Sequence, residues 1–406
     1  MLLFKLAFRN IFRQKRRSLL TVLSMAGGYI LCALSFSTTE GSYKNLINLF
    51  TLDHTGHIQI HKENYLRRPK IYTNIKDIES ISQMLDRRPD IVSHTLRVYA
   101  PVLAYSDLGN TPAKLIGIDV DREQTLSRLK EKIKSGSYLS VNMHNSDYST
   151  ALIGRGIAET LNLTIGGELV LISQGADGSV ANDIFIVQGI VGNKNSKDKS
   201  NIFIPLEAAQ SFLSMQGRVH EIAIQVDSPD SARKVSISLQ EALPELTVSP
   251  WQVVEETFYK SMQSDKEGNR VGLLIVVFII FIGVLNTVLM SVLERTREFG
   301  VLKAIGSRPS KIAQLIMLET SLLATISSGI GFVISVPIIA WFTYVGIELE
   351  KPIDVGGFMF SHMTGELSTY VLGTPIMIII GFSFLVSIYP GIKAASIAPT
   401  EAMRSH

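Results

Sequence analysis

Four stretches of the chain contain no Asp, Glu, Lys or Arg. They cover residues 18–39, 271–293, 320–347 and 367–392 and are 22, 23, 28 and 26 residues long. About 20 apolar residues are enough for a helix to cross a bilayer, and lipid offers no partner to backbone groups outside a helix. The pattern predicts four transmembrane helices. It excludes a fully soluble enzyme, a disordered chain and a disulfide scaffold.

The stretch from 41 to 268 has the composition of a soluble region, with 24 Lys and Arg against 27 Asp and Glu. Several segments alternate apolar and polar residues as half-buried strands do, and helical patterns lie between them. The strand segments are 56–61, 100–105, 114–119, 168–173, 184–191, 201–206 and 221–226, and the helical ones are 74–86, 121–134, 155–163, 207–214 and 229–242. We expect a mixed α/β or α+β region in two lobes. Helical stalks at 41–52 and 251–264 are expected to extend the first two spans.

The Lys and Arg residues that flank the spans predict their orientation, because cytoplasmic loops carry an excess of positive charge. Residues 1–17 hold six cations and no acid, and residues 294–311 hold five cations against two acids. Residues 348–366 hold one cation against four acids. Both chain ends and 294–311 are therefore predicted to be cytoplasmic, with 41–268 and 348–366 on the outer side.

Together these patterns divide the chain into nine segments. In order, they are a cytoplasmic amphipathic helix (1–17), transmembrane helix 1 (18–40), an outer α/β domain with stalks (41–268), transmembrane helix 2 (269–293), a cytoplasmic helix (294–311), transmembrane helix 3 (312–347), a short outer loop (348–366), transmembrane helix 4 (367–392) and a cytoplasmic tail (393–406).

Three histidines, His54, His57 and His61, lie close together at the start of the outer region. His57 and His61 share one face of a predicted strand, so a metal site is geometrically possible. No Cys or acidic ligand is adjacent, however, and we interpret the three as solvated polar positions.

The sequence carries no recognised catalytic motif. The dipeptide Gly-Lys of a Walker A loop does not occur, and neither do Gly-x-Ser-x-Gly, His-Glu-x-x-His or Cys-x-x-Cys. We therefore expect no catalytic residues, no metal and no cofactor in this chain, which is predicted not to be an enzyme.

The most distinctive stretch follows the second span and reads NTVLMSVLERTREFGVLKAIG over 286–306. A turn of alternating charge leads into a short amphipathic helix, which Gly306 is expected to stop. Such a helix between two spans is suited to docking on a soluble cytoplasmic partner. The alternative is a loop that only satisfies the positive-inside rule. The candidate coupling residues are Glu294, Arg295, Thr296, Arg297, Glu298, Phe299, Gly300, Lys303 and Gly306.

At residues 294–306 the chain resembles the FtsX/MacB-type family of ABC transporter permeases. LAFRN at 6–10, followed by Lys15-Arg16-Arg17, resembles the N-terminal run of that family, and YPGIKAASIAPTEAMR at 389–404 resembles its ending. The resemblance implies an integral membrane α-helical fold of four transmembrane helices. A large extracytoplasmic mixed α/β domain, the MacB-like periplasmic core, is implied between helices 1 and 2.

Two outer segments look most like the lipoprotein-releasing (Lol) permeases of the family. They are GHIQIH at 56–61 and the stretch 153–168. The lack of an ATPase segment in this sequence also fits that branch better than the macrolide exporters, which carry a fused one.

The resemblance implies a complex in the bacterial inner membrane. Its expected parts are two permeases, the same or homologous chains, and two copies of a separate cytoplasmic ABC ATPase that binds ATP and Mg. A periplasmic lipoprotein carrier or adaptor and membrane lipids are further partners, and no nucleic acid is expected. ATP hydrolysis would drive periplasmic motion that releases lipoproteins or another amphiphile from the outer leaflet. MacB-like efflux of a peptide or small molecule and FtsX-like regulation of a cell-envelope enzyme stay open as alternatives.

Asn286 and Glu319 are the notable polar residues near the spans. Glu319 lies eight residues after Lys311, about two helical turns. We expect it to pair with that lysine or a neighbouring cation, since an acid at a membrane helix is costly when unpaired. The family often has an acid here, which implies a conformational role.

Overall fold

A computed structural model describes residues 2–13, 15–140, 148–194, 196–355 and 358–398. The chain forms two compact units. Unit 1 consists of Met1–Asn45, Met262–Glu350 and His362–His406, and unit 2 of Leu46–Ser261 and Lys351–Ser361. The last part of the family-like ending, 399–404, lies outside the described residues.

Helices account for nearly all of unit 1 and connect the strands of unit 2. They are Leu2–Arg13 (α1), Lys15–Phe50 (α2), Ile78–Asp86 (α3), Val120–Leu126 (α4), Arg155–Thr160 (α5), Leu206–Phe212 (α6), Ala232–Ala242 (α7), Trp251–Val254 (α8), Glu256–Glu294 (α9), Thr296–Ala304 (α10), Pro309–Tyr344 (α11) and Thr369–Ser396 (α12).

Four of these helices, α2, α9, α11 and α12, are long and apolar enough to span a membrane. Each contains all or most of one of the four uncharged windows, so the predicted set of four long apolar helices is confirmed. The predicted stalk segments continue the same helices, because α2 runs on to Phe50 and α9 begins at Glu256.

The spanning helices pack through small residues and a shared apolar core. Tyr29 of α2 is fully buried and lies against Gly331 of α11, where a Cβ atom would come within 2.7 Å of the tyrosine ring. Val288 of α9 and Ile379 of α12 belong to the same core. Close approach at a residue without a side chain is a common way for membrane helices to associate.

Strands build the centre of unit 2, and a separate two-stranded sheet lies between α11 and α12 in the chain. They are Ile58–Lys62 (β1), Ile91–Ser106 (β2), Gly109–Ile118 (β3), Ile133–Gly136 (β4), Ser149–Gly154 (β5), Glu168–Gln174 (β6), Val180–Val191 (β7), Asn201–Pro205 (β8), Glu221–Val226 (β9), Leu246–Pro250 (β10), Ile347–Val355 (β11) and Phe358–Met363 (β12). The strands β11 and β12 occupy most of the segment 348–366 that was predicted to be a loop.

One ten-stranded sheet runs through unit 2 in the order β10-β1-β9-β2-β3-β8-β5-β7-β4, with β6 paired to β2 and β7. The β3–β8 and β5–β7 pairs are parallel and the other pairs are antiparallel. The expectation of two lobes is wrong for the described residues, because the 16-residue strand β2 pairs with β9, β3 and β6 and keeps the sheet continuous.

The interpretation of the histidines as solvated is also wrong. His57 is 3% exposed and His61 1% exposed, because both faces of β1 are covered. The Nδ1 atom of His57 lies 2.9 Å from the carbonyl oxygen of Val226, and Nε2 of His61 lies 3.3 Å from Oε2 of Glu221. No group of three metal-ligating side chains occurs among the described residues.

Candidate functional site

The short helix α10 is set off from the spans by a sharp turn at each end. Helix α9 ends at Glu294 and α10 begins at Thr296. At the other end Gly306 adopts φ +99°, and the amides of Gly306 and Ser307 donate to the carbonyls of Lys303 and Leu302. This is the Schellman ending, which places its left-handed residue at glycine. Pro309 then starts α11, so a nine-residue helix is held between two spans.

Arg295 connects α10 to the neighbouring helices from a largely buried position. Its Nη1 donates to Oε2 of Glu319 on α11 at 2.8 Å, and its Nε donates to Oε2 of Glu298 at 2.9 Å. Asn10 of α1 donates to the other oxygen of Glu319. Burial opposes the charged form of Arg295, but the carboxylates of Glu319 and Glu298 outweigh it and raise the pKa of the guanidinium. Arg295 therefore stays charged.

The cation that pairs with Glu319 is Arg295 and not Lys311. Two turns along one helix separate Lys311 from Glu319 by about 12 Å, beyond the reach of a direct ion pair. Lys311 is exposed. The broader expectation of a neighbouring cation is confirmed, because Arg295 approaches Glu319 from an adjacent helix.

Further bonds attach this region to the other long helices of unit 1. Nη1 of Arg17 on α2 donates to Oε2 of Glu294 at 2.6 Å, and the same guanidinium donates to the carbonyl of Thr287. The Nζ of Lys303 donates to the carbonyls of Ala395 and Ile397 at 2.6 and 2.7 Å. A cation at the last carbonyls of a helix is stabilised by the negative end of its dipole.

Arg13 of α1 completes the network on its exposed side. Its guanidinium lies 3.1 Å from Oε1 of Glu298, and the two side chains are 71% and 40% exposed. Solvent exposure thus increases along the ionic network, from 13% at Glu319 to 71% at Arg13.

The apolar residues of α10 divide between two directions. Phe299 is 1% exposed, and its ring lies 5.1 Å below the guanidinium of Arg295. Three others are exposed, to 43% at Val301, 38% at Leu302 and 79% at Ile305. Together with the exposed Arg297, these three form a surface that we call the outer face of α10.

The structure brings most of the predicted coupling residues together. Besides the ion-paired residues, Thr296 donates to the carbonyl of Leu293, and Gly300 is buried. Asn286 is exposed on α9 and lies apart from the network.

Sequence reasoning missed three participants, Asn10, Arg13 and Arg17. They were interpreted only as part of a family-like run and a positive flank. The usable signal was an unpaired excess of cations at the N-terminus opposite the acids of 294–298.

A small cavity of about 50 Å³ lies beside this network and is lined by Asn10, Arg17, Arg295, Glu319 and Thr320 among others. It has room for one or two water molecules. The arrangement contains no nucleophile next to a base. Its ion pairs join separate helices. A movement of one helix would therefore allow these ion pairs to exchange partners.

Comparison with known proteins places this architecture in a family. The MacB-like periplasmic core domain matches residues 18–242, and the FtsX-like permease C-terminal domain matches residues 270–399. Neither matching family model is a nucleotide-binding domain.

Individual relatives are distant. The lipoprotein-releasing system transmembrane protein LolC of Xylella fastidiosa is 26% identical over 314 residues, which cover 72% of this chain and 73% of that protein. The macrolide export ATP-binding/permease protein MacB of Campylobacter jejuni is 22% identical over 424 residues, which cover 98% of this chain and 61% of that protein. The crystal structure of the periplasmic region of MacB from Actinobacillus actinomycetemcomitans matches 50% of this chain and 91% of its own, with a TM-score of 0.37 and 15% identity.

The periplasmic core match covers more than half of the 406 residues and includes the α/β region between the first two long helices. The predicted family and fold class are therefore confirmed. The chain is a multi-pass membrane protein with a periplasmic domain, and it belongs to the FtsX/MacB-type family of ABC transporter permeases.

Proposed function

We propose that a separate cytoplasmic ATPase docks on the outer face of α10 and drives this permease to release lipoproteins, or another amphiphile, from the outer leaflet of a bacterial inner membrane. The observation that carries the proposal is that the two sides of α10 differ in their contacts. One side is bonded to the long apolar helices, and the other presents exposed apolar side chains.

The bonded side supports transmission of force. Arg295 joins α10 to α11 through Glu319, and Lys303 joins it to the end of α12. Glu298 joins it to α1 through Arg13. A displacement of α10 by a nucleotide-driven partner therefore acts on several helices at once. The long helices α2 and α9 would relay that movement to the periplasmic domain.

The exposed side supports docking. Ile305 is 79% exposed at the tip of the helix, with Val301, Leu302 and Arg297 beside it. Protein interfaces are enriched in arginine at their energetic centres, and burial of an exposed apolar side chain contributes to binding. In this proposal ATP and Mg bind the ATPase subunits, two of which engage two permeases.

The choice of cargo follows the relatives. The match with LolC, which is named for lipoprotein release, covers a similar share of both proteins. This chain spans only 61% of the MacB relative, whose name includes an ATP-binding part. A periplasmic lipoprotein carrier is the partner that a release reaction requires, because acyl chains that leave the bilayer need an apolar shelter from water.

Docking is tested with Ile305→Glu. The ATPase subunit is first identified by copurification with the wild-type chain from native membranes and then co-expressed with each variant. We expect at least a tenfold loss of bound ATPase, since a charge is placed in an apolar contact. The matched control is Val180→Glu, at a residue of unit 2 that is 80% exposed against 79% for Ile305, and it should retain the ATPase. Normal ATPase binding by Ile305→Glu would show that the outer face of α10 is not the docking site.

The cargo is tested in proteoliposomes that contain the complex and a fluorescent triacylated lipoprotein. ATP should release the lipoprotein to a soluble carrier, and the ATPase-deficient complex should not. Export of a fluorescent macrolide without lipoprotein release would instead support the MacB-like alternative. Failure of both, with ATP-dependent activation of an envelope hydrolase, would support the regulatory one.

A further inference from the structure

The first helix of unit 1, α1, presents an exposed row of aromatic side chains. Phe4, Phe8 and Phe12 are 52%, 48% and 56% exposed. Residues four apart on a helix are separated by only about 40° around its axis, so the three rings form one continuous row. The ring centroids of Phe8 and Phe12 lie 5.0 Å apart. We call this row the aromatic stripe of α1. A contiguous exposed apolar surface of this kind marks a contact with something outside the chain.

The neighbouring face of α1 is fixed against the long helices of unit 1. Ala7 and Ile11 are 0% and 7% exposed. Asn10 donates to Glu319 of α11, and the hydroxyl of Ser18 on α2 donates to the carbonyl of Ile11 at 2.7 Å. The helix therefore cannot turn about its axis to bury the aromatic stripe without losing these contacts.

The same two bonds place α1 at the edge of the membrane. Ser18 is the first residue of the uncharged window 18–39, and Glu319 directly precedes the uncharged window 320–347. The ends of such windows mark the level at which a spanning helix passes from hydrocarbon to headgroups. Because α1 is bonded to the ends of two windows, it lies at this level.

A row of cations runs beside the aromatic stripe. Lys5 and Arg9 each follow a phenylalanine by one residue, about 100° further round the helix, and Lys15 and Arg16 begin α2. All four are exposed, and among the described residues none of them forms an ion pair. Helix α1 itself contains no acid. The negative charge that balances these cations therefore comes from outside the described part of the chain.

An anionic lipid surface supplies both of the missing partners. Its phosphates are attracted to lysine and arginine, and its acyl chains cover aromatic side chains at the interface. The charged and apolar layers of a bilayer lie side by side, as the two rows on α1 do. The other arginines of this segment, Arg13 and Arg17, are instead paired with Glu298 and Glu294 within the chain.

We propose that α1 binds anionic phospholipids, with the aromatic stripe inserted between headgroups and acyl chains and with Lys5, Arg9, Lys15 and Arg16 on the lipid phosphates. This interaction goes beyond the proposed coupling function and does not depend on it, since lipid binding requires no ATPase.

The test uses the full-length chain with one reporter tryptophan, in nanodiscs of equal parts phosphatidylcholine and phosphatidylglycerol. Phe8→Trp is combined with Trp251→Phe and Trp341→Phe, which removes both native tryptophans. Bromine on the acyl chains of one lipid quenches a tryptophan that touches that lipid. We expect both lipids to quench the reporter, and brominated phosphatidylglycerol to quench it about twice as strongly as brominated phosphatidylcholine. High salt should remove the difference, because it screens exposed charges.

Two further reporters control for position. Leu6 lies two residues from Phe8, about 200° round the helix, so Leu6→Trp in the same background should be quenched by water-soluble acrylamide and not by brominated lipid. Trp341, kept alone in a Trp251→Phe chain, is 54% exposed in the uncharged window of α11. It should be quenched equally by the two brominated lipids.

Charge removal tests the lipid preference. Lys5→Gln with Arg9→Gln removes two of the four cations and should reduce the difference between the two lipids by about half. Four other cations remain in residues 1–17, so the orientation of the chain should be retained. The matched control is Arg233→Gln with Lys234→Gln, an exposed pair on α7 of unit 2, which should leave the difference unchanged.

Three results with the Phe8→Trp reporter would overturn the proposal. Equal quenching by the two brominated lipids would mean that α1 has no preference for anionic lipid. Quenching by acrylamide alone would place the aromatic stripe in water. Protection from acrylamide and from both lipids would mean that a protein surface, a second copy of the chain included, covers the stripe.

Discussion

Two arginines, Arg97 in unit 2 and Arg295 in unit 1, are each held by two carboxylates, but their surroundings differ. Arg97 is 1% exposed, and its partners Glu123 and Glu221 are 4% and 6% exposed. Arg295 is 10% exposed, and the network continues outward through Glu298 to a largely solvated arginine. The three side chains of the first network are almost fully buried, so this network stabilises the fold. The second has an open end, so its partners can exchange when a helix moves.

The closed network should show the largest loss of stability. Arg97→Met leaves Glu123 and Glu221 buried without their cation, which costs about 3–5 kcal/mol of unfolding free energy. The chain has two tryptophans, Trp251 in unit 2 and Trp341 in unit 1. In a Trp341→Phe background, the fluorescence of Trp251 reports the unfolding of unit 2 in urea. A triple change of Arg97, Glu123 and Glu221 to apolar residues should recover much of the loss. A single variant as stable as the wild type would show that the network is dispensable.

The second-largest difference between the two units is expected in how their unfolding free energies respond to acid. Burial and the nearby Arg122 outweigh Asp86 and lower the pKa of His94 from 6.5 to about 4. The unfolded chain then binds a proton near pH 6.5 and the folded domain only near pH 4. The stability of unit 2 should therefore fall between pH 6.5 and 4, with about 3 kcal/mol of the loss coming from His94.

Burial also lowers the pKa of His57 and His220, which adds to the effect in the same direction. Urea unfolding followed by Trp251 at pH 7 and pH 4.5 measures it, and His94→Gln should flatten the dependence. The described part of unit 1 has one histidine, His362, which is exposed. A steeper acid response from Trp341 in a Trp251→Phe background would contradict the comparison.

Breaking the inner end of the open network should cost less. Arg295→Met leaves Glu319 without its cation, but both side chains retain some exposure, and we expect a loss of about 2–3 kcal/mol. Glu319→Gln in the same chain removes the stranded charge, so the double variant should be more stable than Arg295→Met alone. Thermal unfolding in detergent, followed by Trp341, measures all three. Additive losses in the double variant would mean that the two side chains do not interact.

The sequence predicted what depends on local pattern. An uncharged window of more than 20 residues has one stable solution in a bilayer, so the spans could be found without tertiary information. The alternating strands of unit 2 could also be found locally, because a half-buried strand alternates apolar and polar residues. The strands β4, β5 and β10 were missed. Strand β5 is a short apolar run buried at Ala151–Gly154, and such a run has no period that separates strand from helix.

Partners across the fold could not be predicted. The segment 294–306 was recognised as a site, but the bond from Arg295 to Glu319 depends on how α10 packs against α11. Glu123 is a second example. In the sequence it is one acid of a stretch with the composition of a soluble region. In the structure it is buried against Arg97. Glu245, exposed after α7, is therefore the control acid used for unit 2.

The smallest effect on stability, and the most informative for coupling, is expected at the exposed end of the open network. The Arg13–Glu298 pair is largely solvated, and such pairs contribute about 0.5 kcal/mol. Glu298→Gln keeps an acceptor for Arg295 and removes the charge that holds Arg13. Thermal unfolding should therefore change little, and the ATPase should still bind, because the outer face of α10 is intact. The amount of lipoprotein released per ATP hydrolysed should nevertheless fall, since the ion pair no longer couples α1 to the movement of α10.

Arg13→Gln should give the same phenotype, and the two changes together should be no worse than either alone, as for one shared contact. Glu245→Gln should leave the ratio unchanged. If release per ATP stays normal in both single variants, the open end carries no force, and the contrast between the two arginine networks is one of exposure only.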